Sequence, residues 1–122
     1  MAWKFDEKSP IYVQIAQRVK MRIISQDIKS GEQLPTVREF AEEAGVNPNT
    51  MQRAFIELER DGMVYSQRTS GRFVTDDKEL IEQKRHELAE EEIKMFINHM
   101  KKIGFDDKKI IEELMKYLGE SK

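Results

Sequence analysis

The sequence has no cysteine, three prolines and few aromatic residues, which make up 8% of its 122 positions. Without cysteine there is no disulfide and no thiolate metal site, and a reducing cytosol tolerates such a composition. No apolar run approaches the ~20 residues of a membrane-spanning helix, and the first residues lack the basic-then-apolar layout of a signal peptide. We therefore expect a cytoplasmic protein with no membrane contact.

Motifs of catalysis and cofactor binding are also missing. The sequence has no glycine-rich phosphate loop and no nucleophile motif. Its two histidines, His86 and His99, have no acidic or histidine neighbours at a convincing metal-ligand spacing. The seven methionines fall largely on apolar stripes, where methionine commonly fills the core. We expect no enzymatic activity, no cofactor and no metal.

The net charge of −2 does not by itself favour a nucleic-acid partner. The distribution of the charges is more informative than their sum. Two windows, residues 44–56 and 62–75, contain no acidic residue, and they carry Arg53, Arg68 and Arg72. A DNA-facing surface needs a local positive field rather than a basic chain, so these windows are candidates for one.

Three helices are predicted in the first half of the chain. The first begins at Ser9, as N-cap, and Pro10, and it carries an apolar residue at every fourth position. The second begins with the capping-box pair Thr36 and Glu39 and ends at a glycine after residue 44. The third begins with Asn47 as its cap, followed by a proline, and buries Met51, Phe55 and Leu58.

The second half is predicted to hold a hairpin and two further helices. Residues 63–67 and 72–74 have the composition of two short strands joined by a tight turn. A long helix over 78–102 and a final helix from Asp106 or Asp107 to Leu118 follow. The order is typical of a mainly α fold with a small β-hairpin: a winged helix-turn-helix over 1–76 and a helical dimerisation tail over 77–122.

This architecture makes the third helix the recognition helix, which enters the major groove of double-stranded DNA. Its first turns carry exposed side chains that can hydrogen-bond base edges, with Arg53 placed to meet a phosphate. The start of the second helix can direct backbone N–H groups at a phosphate, and the wing can follow the backbone or enter the minor groove. Each feature alone has an ordinary structural explanation, and their combination indicates DNA binding. The predicted contact residues are Thr36, Arg38, Asn47, Asn49, Thr50, Gln52, Arg53, Arg68, Gly71 and Arg72.

Several strings within residues 9–75 resemble the GntR family of bacterial regulators. They are SPIYVQI from Ser9, GEQLPTVREFA from Gly31, GVNPNTMQRA from Gly45, LERDGMV from Leu58 and GRFV from Gly71. The Asn-Pro-Asn-Thr turn and the short tail are most similar to the YtrA subfamily. The resemblance implies a metabolite- or stress-responsive repressor, often of a transporter operon, that acts as a dimer on a near-palindromic site.

The resemblance also implies DNA contacts by Arg38, Asn49, Thr50 and the wing glycine, Gly71. The sequence departs from several relatives at Pro48 and Gln52, where those relatives have arginine. Guanine contacts at these two points, and the base preference of those relatives, therefore do not transfer to this chain.

The last 45 residues are too few for the large effector-binding or aminotransferase-like domain that many relatives append. Two apolar helices cannot bury their stripes on each other alone, so the simplest prediction is pairing with a second subunit. Folding back onto the winged domain is the alternative. A winged-helix protein–protein interaction module is the rival function, and a small-molecule effector that the sequence does not specify is compatible with either. The predicted dimer-interface residues are Phe96, Ile97, Met100, Ile110, Ile111, Leu114, Met115 and Leu118.

Overall fold

The structure is a computed structural model that describes residues 2–119. It confirms a mainly α fold with one antiparallel hairpin, in the predicted order. The elements are α1 (Ile11–Ile24), α2 (Val37–Ala44), α3 (Pro48–Arg60), β1 (Val64–Gln67), β2 (Gly71–Val74), α4 (Lys78–Lys102) and α5 (Asp107–Leu118). None of the helices in this part of the chain has the length and apolar character to cross a membrane.

The chain divides into two compact units, with the boundary between Lys84 and Arg85, inside α4. The sequence placed the boundary at the end of the wing, after residue 76. The first turn of α4 explains the difference, because it packs within the first unit. Ile81 is buried, and Leu80 lies so close to Gly62 that a Cβ there would be 3.1 Å from Leu80 Cδ2.

The start of α1 differs from the prediction. Pro10, not Ser9, is the N-cap residue, and it has an extended backbone with φ −57° and ψ 147°. Its carbonyl accepts the first helical hydrogen bonds, from the N–H groups of Val13 and Gln14. The Ser9 prediction was wrong: Pro10 is the N-cap, it makes no side-chain cap hydrogen bond, and the Ser9 and Asp6 carbonyls accept from the Gln14 side chain.

The turn between α2 and α3 forms as the sequence predicts. The Thr36 hydroxyl accepts from the Glu39 N–H while the Glu39 carboxylate accepts from the Thr36 N–H, which completes the capping box. Gly45 ends α2 in the left-handed conformation, with φ 75°. Asn47 then caps α3, its side chain accepting from the Asn49 N–H at 2.7 Å. Local capping chemistry therefore sets the start of both helices.

The core of the first unit lies where α1 and α2 pack on α3. Its largest fully buried side chains are Phe40 and Phe55, whose rings meet edge to face at 5.9 Å. The predicted apolar faces of α1 and α3 are confirmed in the burial of Ile15, Val19, Ile23, Met51, Ala54, Phe55 and Leu58. Burial of these faces fixes α3 against the rest of the unit.

The hairpin gains a third backbone partner from the segment before α2. Leu34 N–H donates to the Arg72 carbonyl, Val74 N–H donates to the Glu32 carbonyl, and Gln33 forms a bridge with Phe73. The Gln33 side chain reaches further and donates to the Ser70 carbonyl. The wing is thus tied to the start of α2 along its length.

An N-terminal arm, residues 2–9, lies on the helix-turn-helix. The Trp3 N–H donates to the Ala44 carbonyl at 3.0 Å, and the Trp3 ring meets Phe40 edge to face at 5.4 Å. Arg18 holds the arm from the other side, with its guanidinium over the rings of Trp3 and Phe5 and a 2.7 Å hydrogen bond to the Lys4 carbonyl. The helical periodicity gave no indication of this packing.

The second unit consists of the remainder of α4 and α5, joined by a turn at Gly104, where φ is 103°. Asp106 is the N-cap of α5. Surface ion pairs run along both helices. The Lys94 ammonium, hydrogen-bonded to Glu90 at 2.9 Å, holds the pKa of that carboxyl below its usual range.

Candidate nucleic-acid interface

The first turns of α3 present a polar surface. Asn49 and Arg53, one turn apart on the helix, are exposed, while Thr50 and Gln52 are half-buried. The sequence predicted all of the polar residues here to be exposed, so Thr50 and Gln52 are less accessible than expected. Asn47 is exposed, but its side-chain oxygen is occupied by the cap, which leaves its amide N–H₂ as the outward-facing donor.

Arg53 is held by an aromatic ring rather than by a carboxylate. Its guanidinium carbon lies 4.0 Å from the centroid of the Tyr12 ring in α1, well within the range of a cation–π contact. Tyr12 is half-buried at the start of α1. The sequence predicts Arg53 as a DNA contact but indicates no role for Tyr12.

The start of α2 adds a second exposed cation. Arg38 lies in the first turn of α2, directly after the Thr36 cap, and its side chain is exposed. Between this helix start and the wing lies a cleft of about 360 Å³, whose lining includes Thr36, Gly71 and Arg72. The structure thus brings two of the predicted contact regions, the start of α2 and the tip of the wing, to the same cleft.

The wing tip is the loop 68–70, which carries the exposed Arg68. Gly71 opens β2 with φ 109°, a conformation that favours glycine. A Cβ at this position would lie 2.8 Å from Gln33 Nε2, so the absent side chain also makes room for Gln33. Gly71 is predicted as a DNA contact, and its contact with Gln33 gives a reason for the glycine that lies within the protein.

Arg72 differs from its predicted role. Its Nε lies 3.5 Å from a Glu59 carboxylate oxygen, and its guanidinium carbon lies 5.1 Å from the Phe55 ring centroid. Glu59 also accepts a hydrogen bond from the Ser66 hydroxyl in β1. Arg72 therefore joins the wing to α3, which is an intramolecular role that its position in an acid-free window did not reveal.

The five arginines of α2, α3 and the wing fall into two groups. Arg60 forms an ion pair with Glu57, and Arg72 forms one with Glu59. Over residues 2–119, the structure shows no ion pair for Arg38, Arg53 or Arg68. On these three elements, Arg38, Arg53 and Arg68 are therefore the cations available to neutralise phosphates.

The predicted dimer-interface residues are mostly accessible, with one exception. Ile110 is only 6% exposed and is buried within the second unit, and its role as an interface residue stays a prediction. It follows the cap of α5 by one turn and faces a cleft whose lining also includes Ile97 and Lys101 of α4. Ile97 and Met100 are half-buried. The exposed members of the set are Phe96, Ile111, Leu114, Met115 and Leu118.

Comparison with known proteins identifies this architecture. The model of the family "Bacterial regulatory proteins, gntR family" matches residues 11–74, from the start of α1 to the end of the wing. A solved structure of a GntR family transcriptional regulator from Listeria monocytogenes superposes with a TM-score of 0.84. It shares 38% sequence identity and covers 92% of this chain and 98% of its own.

Two proteins of Bacillus subtilis strain 168 match well beyond the winged unit. The uncharacterized HTH-type transcriptional regulator YhcF is 35% identical over 109 residues, or 89% of this chain and 90% of YhcF. The HTH-type transcriptional repressor YtrA is 32% identical over 105 residues, or 85% of this chain and 81% of YtrA. These matches confirm the resemblance to the YtrA subfamily and the expectation of a regulator rather than an enzyme. The chain belongs to the GntR family and is a DNA-binding transcriptional regulator.

Proposed function

We propose that the protein is a repressor that binds a near-palindromic operator as a homodimer, in the cytoplasm. The observation that carries the proposal is that three of the five arginines on α2, α3 and the wing, Arg38, Arg53 and Arg68, are exposed and have no acidic partner among the described residues. These are the three elements through which a winged helix-turn-helix meets a duplex. The similarity to YtrA, which is named a repressor, supports repression as the outcome of binding.

Direct recognition of bases falls to the start of α3. Asn49 is exposed and can make a bidentate contact with adenine in the major groove. Thr50 and Gln52 contribute from their half-buried positions, and Asn47 through its amide N–H₂. Pro48 occupies the first position of α3, so the guanine-contacting arginine of several relatives has no equivalent there.

Contacts with the DNA backbone flank these base contacts. Arg38 and the start of α2 bind one phosphate, Arg53 a second, and Arg68 at the wing tip follows the backbone or enters the minor groove. The cleft lined by Thr36 and Gly71 provides space for the sugar-phosphate backbone of DNA between α2 and the wing. Arg72, which also lines this cleft, connects it to α3 through Glu59.

Dimerisation through the second unit is supported by its apolar surface. Exposed hydrophobic side chains are normal when scattered, but a contiguous patch marks an interaction site. In the described residues, α5 alone exposes Ile111, Leu114, Met115, Tyr117 and Leu118, and the end of α4 adds Ile93, Met95 and Phe96. A second copy of the chain would cover such a surface through an isologous interface.

Selection of genomic fragments tests the operator part of the proposal. Sheared DNA from the source organism is incubated with the protein, and the bound fragments are sequenced. We expect enriched fragments that share an inverted repeat, with half-site centres about 10 bp or a multiple of it apart. Enrichment without a common motif, together with equal affinity for a random duplex, would refute sequence-specific binding.

Light scattering coupled to size-exclusion chromatography tests the dimer separately. The chain has a mass of 14.4 kDa, and we expect a particle of twice that mass. A monomer at micromolar concentration that also binds single half-sites independently would contradict the dimer. The transporter operon implied by the family resemblance is checked by the genes next to the enriched fragments.

A further inference from the structure

We propose that Tyr12 is a positioning residue for DNA binding, acting as an aromatic platform that orients Arg53 toward a phosphate. The inference rests on the proposed phosphate contact of Arg53 and names the residue that prepares it. Tyr12 belongs to α1, outside the helix-turn-helix and the wing, and none of the functional roles above uses it.

The geometry of the pair carries the argument. A distance of 4.0 Å from the guanidinium carbon to the ring centroid places the cation against the ring face. The five N–H donors of an arginine lie in the plane of the guanidinium. The ring holds the cation in place without offering an acceptor oxygen, so the N–H donors remain for phosphate oxygens.

A carboxylate partner, in contrast to the ring, would occupy the N–H donors of the arginine. The Arg60 guanidinium, on the same helix, donates to the Glu57 carboxylate at 2.7 Å, so this donor is not available to a phosphate. The ion pair also cancels the charge that a phosphate would meet. Arg53 has no such partner among residues 2–119, so it is both oriented and uncompensated.

The position of Arg53 on α3 is consistent with this role. Arg53 lies one turn after Asn49, on the same exposed side of the helix, and side chains on a helix lean toward its N-terminus. The packing of α1 on α3 holds the ring, since buried Ile15 and Val19 follow Tyr12 along α1. The platform is therefore rigid before DNA arrives, which lowers the entropic cost of ordering a long side chain on binding.

A double-mutant cycle tests the inference. Fluorescence anisotropy gives Kd for the wild type, Tyr12→Leu, Arg53→Ala and the double variant. The probes are a labelled 30-bp duplex carrying the most enriched genomic fragment and a random 30-bp duplex at low salt. We expect Tyr12→Leu to weaken binding about two- to fivefold, the size of an exposed cation–π contact. In the Arg53→Ala background the same change should have almost no effect.

Rescue by a conservative variant separates positioning from packing. Tyr12→Phe keeps the ring face, so we expect wild-type affinity, and thermal unfolding should show all variants folded at the assay temperature. Arg60→Ala, which removes an arginine of α3 already paired with Glu57, serves as the matched control that leaves Kd unchanged. Equal effects of Tyr12→Leu in both backgrounds would overturn the inference, as would a loss with Tyr12→Phe equal to that with Tyr12→Leu.

Arg53→Lys gives a second test should Tyr12→Leu fail to fold. Lysine keeps the charge but lacks the planar fork, so we expect weaker binding than with arginine. Wild-type affinity with lysine would refute a need for the stacked geometry. If Arg53→Ala leaves the Kd for the enriched duplex and the Kd for the random duplex unchanged while genomic selection still yields an operator, the inference fails and the proposed function stands. If no operator is selected, the proposed function fails independently.

Discussion

Gly71 lies directly against the side-chain amide of Gln33. A Cβ at Gly71 would be 2.8 Å from Gln33 Nε2, which is closer than side chains pack. The same amide donates to the carbonyl of the preceding residue, Ser70, at the tip of the wing. A side chain at residue 71 would therefore displace the Gln33 amide that donates to the wing tip.

Gly71→Ala should destabilise the first unit and weaken DNA binding together. The backbone φ of 109° is unfavourable for alanine, at a cost of about 1–2 kcal/mol, and the contact with Gln33 adds to it. Urea unfolding followed by circular dichroism measures the first effect, and anisotropy with the selected duplex measures the second.

Gly31→Ala is the matched control for that substitution. Gly31 also has a positive φ, of 80°, but a Cβ there would meet nothing within 4 Å. We expect a loss of stability from the backbone alone, with DNA affinity retained. Equal behaviour of the two variants in both assays would show that Gln33 moves aside without consequence for the wing.

Arg38→Ala should reduce both the affinity for DNA and its dependence on salt. If Arg38 neutralises one phosphate, the slope of log K against log salt concentration falls by about one unit. Anisotropy titrations between low and physiological salt measure this slope. Arg22→Ala, which removes an arginine already paired with Asp27, should leave the slope unchanged. An unchanged slope for Arg38→Ala would remove Arg38 from the phosphate contacts.

Two adjacent residues in α5 should respond in opposite ways. Ile110 is buried, so Ile110→Ala should destabilise the second unit by about 2–5 kcal/mol. Ile111 is 62% exposed, so Ile111→Glu should preserve the helix content but shift the protein from dimer to monomer. Circular dichroism and light scattering separate the outcomes. A dimer of unchanged affinity with Ile111→Glu would exclude this side chain from the interface.

The N-terminal arm should contribute to the stability of the helix-turn-helix. Trp3→Ala removes the contacts with Phe40 and with the Arg18 guanidinium, and we expect a loss of roughly 1–3 kcal/mol in urea unfolding. Trp3 is the only tryptophan in the sequence, so its fluorescence reports the same transition in the wild type. A fluorescence change at a much lower urea concentration than the change in circular dichroism would show that the arm detaches independently.

The sequence predicted what depends on local chemistry. Thr36 with Glu39 and Asn47 with its following proline define helix starts within a few residues, and the structure has both. The buried faces of α1 and α3 follow from a helical period, which also acts over short distances. The exception is the start of α1, where Pro10 is the N-cap in place of the expected Ser9.

What the sequence did not predict depends on residues far apart in the chain. Gln33 reaches Ser70 across 37 positions, and Arg53 meets Tyr12 across 41. Such pairs leave no periodic signal, because neither residue has to recur or to cap a helix. Arg72 is the instructive case: its acid-free neighbourhood in sequence suggested a DNA contact, but folding brings Glu59 of α3 beside it. Arg72 has no acidic residue close to it in the sequence, but it has one close to it in the folded protein.

Glu59 couples α3 to both strands of the hairpin. Its carboxylate accepts a hydrogen bond from the Ser66 hydroxyl on β1 and lies 3.5 Å from Arg72 Nε on β2. One side chain thus links the helix to the two halves of the wing, so a displacement of α3 would be transmitted to both strands together.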